Sequence, residues 1–321
     1  MRICFPIIAI LLCLINKHLS ADINTGRLEL YYGVAEGNYI VGDLVGAENS
    51  IEQILRIEPN YPPALNLKSN IMLDKGRADL ALISAERASG LDPNNLKYKL
   101  TEALILGNLQ RREEASKLID SVLIVAPAGS EDAIAAKQLL GLLLMADGEW
   151  DSAVDTFKDI YSSNSSDNRG RLKLMSEAYV EKARAAMNEG NTEVLIEAME
   201  QAIEVYAEQS EKGNLLQSSA LRLTRARMLA QLGHINMAIK DLQILTGQQP
   251  ENFEALITLA TLYASEGRWQ SVERIIEPFS QNQKLRDVAL YFEGRAAMSK
   301  DRIGTARAKF EAAIKILPKD A

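Results

Sequence analysis

Cysteine is nearly absent from this 321-residue chain: Cys4 and Cys13 are its two, and both stand within the first thirteen residues. Beyond them no disulfide framework can form, so stability has to come from packing. Histidine is as scarce, with His18 and His234 alone. A general base or a metal ligand works with partners, and His234, directly after Gly233, has the place of a solvated turn residue. No glycine-rich phosphate loop ending in Lys and Ser or Thr is present, and no Gly-x-Ser-x-Gly elbow. No catalytic residue, cofactor or metal site is therefore expected, and the chain does not read as an enzyme. Nine prolines and nineteen glycines beside 47% hydrophobic residues also exclude a disordered low-complexity chain.

The N-terminal stretch Ile3–Ile15 is thirteen residues without a charge, where a membrane-spanning helix needs about twenty. It follows Arg2 and precedes Ser20 and Ala21, the layout of an export signal with cleavage after Ala21. Leu12 before Cys13 argues against lipidation there. Residues 1–21 are thus expected to be a signal peptide; an uncleaved anchor is the alternative, and it would be the chain's one membrane contact. Removing them takes away Arg2 and Lys17 and no acid, leaving 34 basic against 43 acidic residues, a net charge of −9. That balance does not suit a nucleic-acid partner, whose phosphates must be neutralised. It suits a periplasmic or secreted protein.

What the chain has in quantity is periodicity. Pro59, Pro93 and Pro127 are 34 residues apart, and Ala47, Ala81 and Ala115 keep the same step, as do Ala35, Ser69 and Ala103. A period of this length is that of a helix–turn–helix unit, not of a globular domain. The small-residue column continues as Gly141, Ala226, Ala260 and Gly294. The alanine column continues as Ala153, Ala198, Ala238, Val272 and Ala306. Small side chains at these places let two helices approach. Gly42, Gly76, Gly148, Gly233 and Gly267 are placed to stop the first helix in a left-handed residue, and the prolines to end the second.

Leu140-Gly141, Gly148, Trp150, Ala153 and Phe157, and again Gly294, Ala306, Phe310, Ala313 and Pro318, resemble the tetratricopeptide repeat. The resemblance implies an all-α, right-handed superhelical solenoid of about eight helix–turn–helix repeats over residues 28–321, after a short linker at 22–27. The register holds over 28–127 and 219–318 and slips over 128–218. Polar stretches at Ser162–Asp167 and Glu208–Asn214 take up the slack, which implies longer helices or a longer loop in the fifth repeat. Either tolerated loop variation or a bend that shapes a pocket accounts for it. After Pro318, no further helix covers Phe310, Ala313, Ile314 and Leu317. That edge is tolerated, docks a partner, or belongs to a longer product.

In this family the first helices line a concave groove, so the resemblance points to a non-enzymatic scaffold that binds peptide segments or partner proteins. The candidate groove residues by repeat phase are Asn66, Asn70, Leu104, Leu139, Leu142, Arg227, Thr261, Tyr291 and Arg295. Spaced arginines after an apolar stretch fit a peptide with an acidic or carboxylate end. The leucines equally suit burial, and the arginines ordinary charge balance. Tyr32, Glu36, Leu67, Lys97 and Thr101 stand where chaperone-tail adaptors of the family carry basic residues and asparagines, so that subtype is not expected. The alternative function is a structural subunit of an envelope, polysaccharide-export or exosortase-linked assembly, docking through the uncapped C-terminal edge. A homo-oligomer is possible but nothing in the residues indicates one.

Overall fold

Each proline of the 34-residue series stands where a helix has just ended. Proline disfavours helical geometry in the residue before it, and Glu58, Asp92, Ala126 and Gln249 all leave the helical region, with ψ between 77° and 132°. The computed structural model describes residues 26–162, 168–207 and 212–316. The expected signal 1–21, the linker up to Thr25, residues 163–167 and 208–211 of the two polar stretches, Leu317 and Pro318 lie outside these residues. Gly26 and Arg27, placed above in the linker, are already helical.

The described residues form sixteen α-helices and one 3-10 turn, with no strand. They are α1 (26–40), α2 (Leu44–Ile57), α3 (Pro62–Asp74), α4 (Ala78–Leu91), α5 (Leu96–Asn108), α6 (Arg112–Val125), α7 (Glu131–Asp147) and α8 (Trp150–Ser162). There follow α9 (Asn168–Asn188), α10 (Thr192–Ala207), α11 (Lys212–Gln231), α12 (Ile235–Gln248), α13 (Phe253–Ser265), α14 (Trp269–Ile276), α15 (Arg286–Met298) and α16 (Ile303–Ile316). They pair in chain order as eight hairpins. The chain divides into two compact units, residues 1–171 and 172–321, so each unit holds four hairpins. The boundary falls within the irregular stretch 128–218, and the slack there is spent on length: α9 has 21 residues and α11 has 20, against 13 in α3 or α13.

One turn joins all eight hairpins. Gly42, Gly76, Gly148, Gly190, Gly233 and Gly267 have φ between 69° and 84°. Each donates its N–H three residues back, and the next N–H reaches five residues back, as in Gly76 to Leu73 and Arg77 to Met72. These bonds close the carbonyls that a helix end leaves open. Gln110 (φ 61°) and Asp301 (φ 56°) hold the same turn in the third and eighth hairpins without being glycine.

Counting back seven residues from the turn gives the small column: Ala35, Ser69, Ala103, Gly141, Ala183, Ala226, Ala260 and Gly294, all buried. The residue sixteen later, on the second helix, compensates in size. Gly141 faces Phe157 and Gly294 faces Phe310, so closely that a Cβ on either glycine would run into the ring, at 2.6 Å for Phe310. Where the small residue is alanine, the partner place holds Ile119, Met199, Leu242 or Ile276; where it is Ser69, it holds Ala85. The same count corrects one column. In the fifth hairpin the place of Ala47, Ala81, Ala115, Ala153, Ala238 and Ala306 is taken by Leu195. Its N–H bonds Asn191 just as that of Ala81 bonds Arg77. Ala198 lies one turn further on.

Gly141→Ala should lose about 1–3 kcal/mol by overpacking against Phe157. Adding Phe157→Leu should restore most of it, as read from urea unfolding midpoints. Gln110→Gly should gain about 0.5–1 kcal/mol, because a left-handed backbone penalises a side chain by more than glycine's extra freedom costs.

Candidate functional site

The residue directly after the small column projects from each first helix. In the first unit it reads Glu36, Asn70, Leu104 and Leu142, and in the second Arg184, Arg227, Thr261 and Arg295. Arg184 was missed from sequence because the slipped register hid its place; counting back from Gly190 finds it.

In the first unit Leu104 and Leu142 are exposed, as a groove face requires, and Asn66 and Asn70 are half-buried. Leu139 is not a groove residue. It is 9% exposed and packs in the core with Ala115, Ile119 and Val122. It lies two positions before Gly141, where the first helix turns toward the preceding hairpin. Around Asn66 the face is aromatic. Tyr32 and Tyr61 meet edge to face at 6.4 Å, and the buried Oδ1 of Asn66 has no hydrogen-bond donor among the described residues. Burial, then the charge of Glu36, pushes the Tyr32 phenol up to about 12. Burial and a hydrogen bond donated to Asp74 push Tyr39 to about 12 as well.

In the second unit the arginines are not equivalent. Arg184 pairs with Glu181, and Arg227 with Glu254 of the next first helix at 2.8 Å. Arg225, on the same helix as Arg227, is buried and bidentate to Asp241 on α12 at 2.6 and 2.8 Å, with Glu200 beside it. It is a core ion pair that apolar patterning could not reveal. Arg295 has no carboxylate against it among the described residues. Its guanidinium lies 5.9 Å from the rings of both Trp269 and Tyr291, near enough for cation–π attraction.

Tyr291 also lines a mostly apolar cleft of roughly 580 Å³ with Ile257 and Thr261 of α13, Asp287, Val288 and Phe292 of α15, and Phe310, Ala313 and Ile314 of α16. Thr261, Tyr291 and Arg295 are thus brought together, while Arg227 is neutralised by Glu254. His234 caps the start of α12 and its Nε2 lies 2.8 Å from Thr192 Oγ1. Among the described residues no cluster of histidine and carboxylate groups could hold a metal ion, and no helix is long and apolar enough to cross a membrane.

With this geometry in view, one known family matches. Residues 176–209 match the tetratricopeptide repeat model. The match supports the tetratricopeptide family. It covers most of α9 and the whole of α10, the hairpin where the 34-residue spacing is least regular. A search of the curated proteins finds no match to the chain. Among solved structures, the chain is similar to PilF of Pseudomonas aeruginosa (14% identity, 72% of this chain and 96% of that one, TM-score 0.47). It is similar to MamA of Desulfovibrio magneticus RS-1 (16%, 58% and 98%, 0.45). It is also similar to YrrB, described as a tetratricopeptide protein with an unusual peptide-binding site (17%, 59% and 90%, 0.41).

The raised tyrosines set a pH limit on the first unit. A phenol near 10 when unfolded and near 12 when folded contributes stability that is whole below pH 10 and is lost as pH rises toward 12. Urea midpoints should therefore fall between pH 10 and 12, and less steeply in Tyr32→Phe/Tyr39→Phe.

Proposed function

We propose that the chain is a non-enzymatic scaffold whose cleft between α13, α15 and α16 receives a segment of a partner protein. The observation that carries this is Arg295: a cation held over two aromatic rings, without a carboxylate, at the rim of an apolar cleft of side-chain size. A segment with apolar side chains for the cleft and a carboxylate for Arg295 matches it. The tetratricopeptide match and the absence of catalytic groups from the sequence support a binding role over a catalytic one. The basic start and short apolar stretch of residues 1–21 support export, and the excess of acid supports a site of action in the periplasm or outside the cell. A segment lying across first helices in this way needs no cofactor.

A photo-crosslinking residue in place of Tyr291 tests the cleft directly in producing cells. A protein adduct of defined mass is expected from position 291, much reduced by Arg295→Glu, and none from the exposed Lys240 on α12. No adduct at 291, or the same adducts at both positions, would remove the cleft as the binding site.

A further inference from the structure

The repeat itself shows what belongs in the cleft. Within each unit, a first helix packs on the second helix of the hairpin before it, using the place five residues ahead of the small column. There stand Ala64, Ala136, Ala255 and Ala289, each buried in one cluster with the preceding hairpin's second-helix residues, and Tyr98 and Leu221, which are half-buried. Ala255, for example, joins Ala238, Leu242 and Leu245. On α1 the same place is Leu30, 67% exposed, with Val34 beside it at 49%. At the other end, Ile51, Ile119, Leu242 and Ile276 are buried, but their equivalent Phe310 is only half-buried, and Ile314 is 67% exposed. Among the described residues, the two uncovered faces are therefore the two halves of the hairpin-to-hairpin interface that the chain repeats within each unit. Ile314 is exposed on one face, and on the other a Cβ at Gly33 or Gly37 would meet nothing within 4 Å.

Charge selects the same pairing. Arg227, directly after its small residue, bonds Glu254, six residues before the next one. Carried to the ends, the first place is Arg295 and the second is Glu29, six before Ala35. Glu29 is exposed and, like Arg295, makes no ion pair among the described residues. Glu29 with Leu30 and Val34 is thus a carboxylate beside apolar side chains on one helix, the segment that the cleft calls for.

We infer that the partner is a second copy of this chain, whose α1 seats on α15 and α16 and pairs Glu29 with Arg295. This rests on the proposed reading of the cleft. A head-to-tail contact of this kind does not saturate at two copies unless a ring closes, so mass grows with concentration.

The test uses the purified full chain with Cys4→Ser/Cys13→Ser. Copies carrying Val34→Cys are mixed with copies carrying Ile314→Cys and treated with a short bis-maleimide. Adducts are expected in the mixture and not in either variant alone, and sedimentation should show mass rising with concentration. Glu29→Arg and Arg295→Glu should each weaken association about tenfold, and the two variants mixed should recover it at their matched ends. Adducts within one variant alone would mean head-to-head or tail-to-tail contact and overturn the inference. A monomer at all concentrations would overturn it too, whether or not residues 1–25 cover α1. If position 291 then still crosslinks a different protein, the cleft reading stands and only the identity of the partner falls.

Discussion

The structure depends on how closely the two helices of a hairpin can cross. At that crossing most hairpins trade size between the partners, glycine against phenylalanine and alanine against isoleucine, leucine or methionine; Ser69 against Ala85 is the smaller exception. Interiors packed near crystal density tolerate such exchanges only when total volume is conserved. The left-handed turn seven residues later returns the chain at a fixed angle, and the proline releases it for the next hairpin. With crossing, turn and release repeated, stability is built from neighbour to neighbour, as in other helical arrays. A large single core and disulfides are both unnecessary.

Much of this was legible in the residues because proline and glycine act through backbone geometry, which survives drift of the side chains. The three 34-residue prolines and the turn glycines were in place where expected. The fifth hairpin was harder to read. Alanine is common enough that Ala198 could pass for a column whose true occupant is Leu195, and Gly190 and Arg184 went unnoticed beside it. Gln110 and Asp301 were invisible for another reason: nothing in a glutamine or an aspartate marks a left-handed backbone.

The candidate site was legible only in part. Phase along the first helix located Thr261 and Tyr291, which line one cleft, and Arg295, which lies against the Tyr291 ring. Phase could not distinguish Arg295 from Arg227, because that difference lies in Glu254, on another helix. It also misplaced Leu139 by one position, since the place of Asn66 and Tyr291 falls on Gln138 in the fourth hairpin, enough to turn a helix residue from the surface to the core. A side chain's partners are a property of tertiary structure, and periodicity carries no information about them.

The buried pair of Arg225 and Asp241 has a consequence for assembly of the fold. Helices this similar can pair out of register, since most of their contacts are interchangeable small and apolar groups. Asp241's place is held in the other hairpins by Ser50, Ser84, Leu118, Thr156, Ala198, Ile275 and Lys309, none of them an acid. A slip of α12 along α11 would thus bury a guanidinium without its counter-ion, costing about 3–5 kcal/mol. This ion pair therefore fixes the register of the two helices of the sixth hairpin.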